Sequence, residues 1–337
     1  MSTTHVAWSS IELLHNVIRT LGHLNELGRP LPVVEYRAKV KLHGSNCAVQ
    51  VTDHGVAAQS RTSLLTPEAD YKGFAAWVHR HQAYFETLTR DIVVFGEWCG
   101  PGVEKGMAIS AAKTKLFAVF AVQIAGRIAY EPDEVRALVP QAGAPAELHV
   151  LPWVGEPIRI DYSSRPALDA VAAALNERVD EVEREDPWAR RVLGISGVGE
   201  GLVFYPLRVD GAPPDADPVA LAQLMFKAKG EKHRTAGTRT AVAVDAAGVA
   251  SVDEFIALMV TEARLAQGLA AVGQGAGQGA GDRPRDPKLT GKFLEWIVAD
   301  VRKESVAELE ASGLQFAQVE KAVRARARTW YLSDTSS

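Results

Sequence analysis

Two rhythms of apolar residues run through the first 235 positions. Short runs rich in Val, Phe and Tyr, bounded by Gly, Pro and Asp, fall at Val33–Arg37, Ala48–Thr52, Asp91–Trp98, Lys115–Ile124, Leu148–Val154 and Gly201–Tyr205. Their composition and punctuation predict strands. Between them lie helical patterns. Pro67 to Arg90 carries Phe74, Trp77, Val78 and His81 at helical spacing, and Ala167 to Glu185 carries Leu168, Val171 and Leu175 on one stripe. After Ala250 the strand rhythm stops. Ser251-Val-Asp-Glu254 has the spacing of a capping box, followed by Phe255, Leu258, Met259, Leu265 and Leu269 at helical intervals. Val272 to Pro287 is a Gly/Gln/Ala run that reads as a flexible loop (272–287). Helical patterns resume over Leu289–Ala311, with Phe293, Trp296, Ile297 and Val301, and over Leu314–Trp330. The expectation is an α+β domain over residues 1–240, followed by a small all-helical C-terminal domain over 250–337.

Length agrees with two domains: 337 residues exceed what one core usually serves, and 47% hydrophobic residues can fill two. No apolar run approaches the roughly 18 residues of a membrane span. The first residues lack a signal-peptide pattern, so a cytoplasmic protein without membrane association is expected. Cys47 and Cys99 belong to no C-x-x-C pair, which argues against a zinc site and for two free thiols. The formal net charge of −4 argues against a dedicated nucleic-acid coat protein. A local basic patch can still hold phosphates, because the field depends on where the charges sit.

The candidate chemistry begins at Lys39-Val-Lys41-Leu-His43-Gly44-Ser45-Asn46, between two predicted strands. Alone, the octapeptide reads equally well as a polar hairpin turn. Four further segments follow in order, each beside a strand: Phe95-Gly96-Glu97-Trp98, Lys115-Leu-Phe117-Ala-Val-Phe120, Glu200-Gly201-Leu202-Val203 and Phe226-Lys227-Ala228-Lys229. The last sets Lys227 and Lys229 two apart, on one face of a strand.

This order resembles the covalent nucleotidyltransferase superfamily of DNA ligases, RNA ligases and mRNA capping enzymes, whose signatures are K-x-[DH]-G, a Glu-bearing strand, an aromatic strand, E-G-x-V and K-x-K. The RNA ligase 2 family, with its phage and RNA-editing members, is the nearer branch. Three features favour it: His43 in a K-x-H-G-[ST]-N frame, Arg61 twenty residues after Lys41, and a helical tail where other branches place an OB barrel. The resemblance implies an ATP-grasp-like adenylation domain of antiparallel sheets with flanking helices. It implies an ATP-dependent RNA ligase that seals 3′-OH and 5′-phosphate ends through a lysyl-AMP on Lys41 and an RNA-adenylate.

The implied roles follow the motifs. Lys41 is the nucleophile, and Lys39, two residues away on the same strand, is the competing amine. His43 supports transfer of AMP to the RNA end. Glu200 serves catalysis and metal contact. Asn46, Arg61, Glu97, Phe120, Lys227 and Lys229 hold the nucleotide, with Phe120 stacked on adenine and Phe117, on the opposite face, in the core. Where the family carries Asp after this aromatic, the chain has Ala121. A free lysine titrates at about 10.4, so an attacking amine needs a lowered pKa, and burial with Lys227 and Lys229 nearby is expected to supply it. Pyrophosphate departure calls for Mg²⁺, with Mn²⁺ as an alternative. Clusters at Lys232, His233, Arg234 and Arg239 and at Arg324, Arg326 and Arg328 are candidate contacts to RNA phosphates. A monomer is expected. The rival readings are a DNA ligase, a GTP-using capping enzyme, or a silent RNA-binding module of the same fold.

Overall fold

The computed structural model describes residues 3–9, 11–26, 28–210, 223–230, 242, 252–261, 264–265, 268–269, 271–272, 286–306, 308–309 and 314–333. The chain divides into two compact units, Met1–Gly230 and Glu231–Ser337. The sequence pattern had set the change of character some ten to twenty residues later, because the strand rhythm of Phe226–Lys229 is followed by residues with no clear period.

The first unit is built on two antiparallel sheets. One has the order β11-β10-β1-β9, from strands β1 (Val33–Lys41), β9 (Val154–Asp161), β10 (Gly201–Val209) and β11 (Phe226–Lys229). The other has the order β4-β3-β2-β5-β6-β7, from β2 (Gly44–Thr52), β3 (Gly55–Ser60), β4 (Leu64–Leu65), β5 (Ile92–Cys99), β6 (Leu116–Ile124) and β7 (Arg127–Ala129). A short strand β8 (Leu148–Val150) adds to β6 in parallel. Alternation along each strand sends one set of side chains to each face. Val40, Leu42, Ala48, Phe95, Ala118 and Phe120 come from both sheets and form one apolar cluster. Val49, Val94, Phe117 and Val119 face the other way. They are covered there by Phe74, Trp77 and Val78 of α2 (Phe74–Arg80) and Phe85 of α3 (Gln82–Phe85). Phe117 and Phe120 thus lie in different cores, as period two requires.

Several elements depart from the pattern reading. The helix expected over 67–90 is confined to α2 and α3, because Tyr71, Lys72 and Gly73 enter α2 through positive φ at Lys72 (53°) and Gly73 (83°). Helices α1 (Leu14–Glu26) and α4 (Pro132–Leu138), and strands β3, β7 and β9, were not read from the pattern. The long helix α5 (Arg165–Arg184) is where its stripe placed it, capped by Ser164, and packs on β9, β10 and β11.

In the second unit, the described residues include α6 (Val252–Met259), α7 (Thr290–Glu304) and α8 (Phe316–Ser333). Phe255, Leu258, Phe293, Ile297, Val301, Val319, Val323 and Tyr331 share one core. Ser251, most of the Gly-rich run, and Lys232, His233, Arg234 and Arg239 lie outside the described residues. Among the described residues, no helix is long and apolar enough to cross a membrane.

Candidate active site

Strand register assembles the site. Lys41 ends β1 and sits opposite Gly201 of β10, and Gly201 sits opposite Lys229 of β11. Three strands therefore bring residues 41, 201 and 229 into one row. Glu200, next to that row and only 4% exposed, takes the centre. The Lys41 Nζ lies 2.8 Å from Glu200 Oε1, and Lys229 Nζ lies 3.6 Å from the same oxygen. The His43 Nδ1 lies 3.4 Å from Glu200 Oε2. One buried carboxylate thus binds three of the sequence-predicted groups.

Gly201 makes the close approach possible. Its φ is +151°, and a Cβ there would lie 2.1 Å from the Ala228 carbonyl oxygen and 2.9 Å from Lys229 Cα. Only glycine lets β11 run against β10 at this point. Gly44 serves the second sheet in the same way: a Cβ would sit 2.5 Å from the Trp98 carbonyl oxygen and 3.0 Å from Glu97 Cγ. The glycine of each motif is therefore a packing requirement beside a buried or half-buried carboxylate.

The second sheet supplies Asn46 and Glu97 as direct cross-strand partners, with Ala118 next to Glu97 on β6. Phe120 follows two residues later on the same face and belongs to the core shared by both sheets. Arg61, just past the end of β3, is exposed. It is near enough to Lys41 and Glu97 to act on the charge of both. Lys227 shares the Lys229 face of β11, opposite Val203.

The electrostatics correct one expectation. Burial alone would lower the pKa of Lys41, but Glu200 and then Glu97 outweigh it and raise the amine above its ordinary value. The expected lowering, by burial and by Lys227 and Lys229, is not found, because the Glu200 carboxylate lies against both Lys41 and Lys229. Burial likewise works to raise Glu200, yet Lys41, His43 and Lys229 together hold it well below the usual carboxylate range. Among the described residues, Glu97 has no comparable pairing. Burial pushes it up to about 8, which the Lys41 charge opposes and Glu200 reinforces.

Lys39, the competing amine, lies in the core. It is 1% exposed, and its Nζ donates to the Phe120 carbonyl oxygen at 2.8 Å. The rings of Trp153 and Tyr205 flank the nitrogen at 4.9 and 5.3 Å. No phosphorus can reach that amine without opening the core.

A family model described as RNA ligase matches residues 34–220, more than half of the chain and all the motif-bearing strands except β11. The chain belongs to the RNA ligase family. No curated protein sequence matches it significantly. Among solved structures, a variant of Naegleria gruberi RNA ligase with ATP and Mn is 17% identical, covering 67% of this chain and 56% of that one, at a TM-score of 0.44. The same ligase with PPi is 17% identical over 67% and 56% of the two chains, at a TM-score of 0.41. This RNA ligase family member thus spans little more than half the length of the Naegleria chains.

The structure also adds neighbours that the motifs did not signal. Glu104 lies 3.9 Å from His43 Nε2 and 2.8 Å from the Lys72 Nζ. It comes from the loop after β5, which has no periodicity to mark it. Cys47 and Cys99 are buried and free. Among the described residues, no group of three or more His, Cys, Asp or Glu side chains is arranged to hold a metal ion.

Proposed function

We propose that this RNA ligase family member is an ATP-dependent enzyme that joins 3′-OH and 5′-phosphate RNA ends in three steps. The Lys41 amine attacks the α-phosphorus of ATP, forming an N–P bond as the bond to the β-phosphate oxygen breaks and pyrophosphate leaves. The adenylate then passes to an RNA 5′-phosphate, giving an A(5′)pp(5′)RNA end. A 3′-hydroxyl attacks that end and releases AMP. Such transfers need little covalent help from the protein, so positioning and charge neutralisation carry the catalysis.

The observation that carries this reading is the cluster of Lys41 and Lys229 on the Glu200 carboxylate, with its 2.8 Å and 3.6 Å contacts. An amine at a strand end, ringed by one carboxylate and a second amine, is suited to attack beside an anion. Glu200, at hydrogen-bond distance from the ammonium, is in reach of the proton the amine must shed. Lys229, with Lys227 on the same face, is suited to the α-phosphate, where negative charge builds. Asn46, Arg61 and Glu97 serve the ribose and phosphates, and Phe120 the adenine. His43, tied to Glu200 and close to Glu104, belongs to the step that hands AMP to RNA.

Glu200 also offers the hard oxygen donor that Mg²⁺, or Mn²⁺, takes. When bound, such an ion neutralises the charge of the leaving pyrophosphate. The charge state of Lys41 fits a cycle in which the resting amine is parked on Glu200 and released as nucleotide arrives.

Mass spectrometry after incubation with ATP and Mg²⁺ tests the first step. The expected result is one added AMP on the wild-type chain and none on Lys41→Ala with an unchanged circular dichroism spectrum. AMP retained on the variant would reject Lys41 as the acceptor. Sealing assays on RNA and DNA ends, with ATP and GTP in parallel, then separate RNA ligation from the DNA ligase and capping readings.

A further inference from the structure

The N-terminal segment runs from one sheet of the first unit to the other. Near its start it is tied to the second sheet: Thr4 O accepts from Gln50 Nε2 at 2.9 Å, His5 Nε2 lies 3.0 Å from Ser60 O, and Val6 N donates to Gln59 Oε1 at 3.1 Å. Near its end it is tied to the first sheet, where Glu12 forms a bridge with Phe226 and its carbonyl accepts from Lys227 N at 2.8 Å. Between these anchors stands Trp8. Its ring lies 4.9 Å from Phe95 and 5.1 Å from Phe120, edge-on to the latter.

The indole Nε1–H of Trp8 is buried and, among the described residues, has no hydrogen-bond partner. A buried donor left unpaired is costly, so such an atom calls for an explanation. The donor is anchored from both sides and stands beside the aromatic ring assigned to the base. A purine offers ring nitrogens that accept hydrogen bonds and has no other use for an indole N–H.

We infer that Trp8 reads the nucleobase: its indole N–H donates to a ring nitrogen of the adenine stacked on Phe120. The inference rests on the reading of Phe120 as the stacking residue. It makes the N-terminal segment part of the ATP site and gives a reason for its double anchoring. The segment holds the Trp8 ring 5.1 Å from the Phe120 ring.

The test uses the full chain and measures the ATP dependence of self-adenylation. Trp8→Phe keeps the aromatic wall and removes the N–H. The expected result is a KM for ATP raised about five- to tenfold, the loss of one neutral hydrogen bond, with the rate at saturation little changed. On the wild type, one of 1-deaza-, 3-deaza- and 7-deaza-ATP should show the same loss, and Trp8→Phe should not distinguish that analogue from ATP. Wild-type KM values for all three analogues would overturn the inference even if Trp8→Phe failed to fold. Phe120→Ala separates the two readings. If it binds ATP normally, the stacking assignment fails and the inference falls with it. If it loses affinity while Trp8→Phe does not, only the role of Trp8 is rejected.

Discussion

Replacing Lys39 by methionine should remove a pH dependence of stability that the wild type carries. Lys39 is 1% exposed, held by one carbonyl and two aromatic rings, and burial lowers its pKa from 10.5 to about 7. At about 1.4 kcal/mol per pH unit, that difference is worth about 5 kcal/mol between the charged and neutral forms. The folded pKa lies below the unfolded one, so between about pH 7 and 10.5 the unfolded chain binds more protons. Stability therefore rises with pH across this window. The wild type should gain about 3 kcal/mol from pH 7 to pH 10 that Lys39→Met does not, since methionine has no proton to bind. At pH 7 the variant should be the more stable by about 1–3 kcal/mol: it escapes most of the ~5 kcal/mol burial cost but leaves the Phe120 carbonyl without its donor, at about 1–3 kcal/mol. Urea denaturation of both proteins at several pH values reads the difference directly, because every other titrating group is common to both. Parallel stability curves across that range would refute the reasoning, and with it the claim that this ammonium is desolvated.

Three further outcomes follow from the geometry. Gly201→Ala should prise β11 from β10, since its Cβ would lie 2.1 Å from the Ala228 oxygen; AMP loading should fall at least tenfold and the melting temperature should drop, whereas a variant with both unchanged would show that the row tolerates a side chain. Glu97 is raised to about 8, so its proton stabilises the fold at low pH and that stability is lost as pH rises through the folded value; Glu97→Gln should flatten the decline from about pH 5 to pH 8, measured by thermal denaturation with nucleotide absent. Removal of residues 251–337 should spare AMP loading better than strand sealing, and full sealing by the shortened chain in a nicked-RNA assay would reject a role for the tail in engaging RNA.

The order of the motifs and the strands beside them were legible in the chain itself, because both are local. The Val, Phe and Tyr runs, the two-residue spacing of Lys227 and Lys229 and the opposite faces of Phe117 and Phe120 need only the period of a strand. The frame around Lys41 also marked it over Lys39 before any coordinates, but the reason did not lie there. Lys39 and Lys41 share one face of β1 and the same residue type. What separates them is that Lys39 meets Phe120, eighty-one residues away, while Lys41 meets Glu200, just before a strand paired in register across the sheet. Burial and the nearest opposite charge set whether each amine carries its proton, and both are properties of packing. For that reason the lowered pKa expected at Lys41 is found at Lys39 instead. The same holds for Trp8 and Glu104, which carry no motif and no periodicity and meet Phe120 and His43 only because the chain returns there. Sequence determined which chemistry was available. Tertiary structure decided its charge state and its neighbours, because electrostatic energy depends on distances of a few ångströms that no linear spacing encodes.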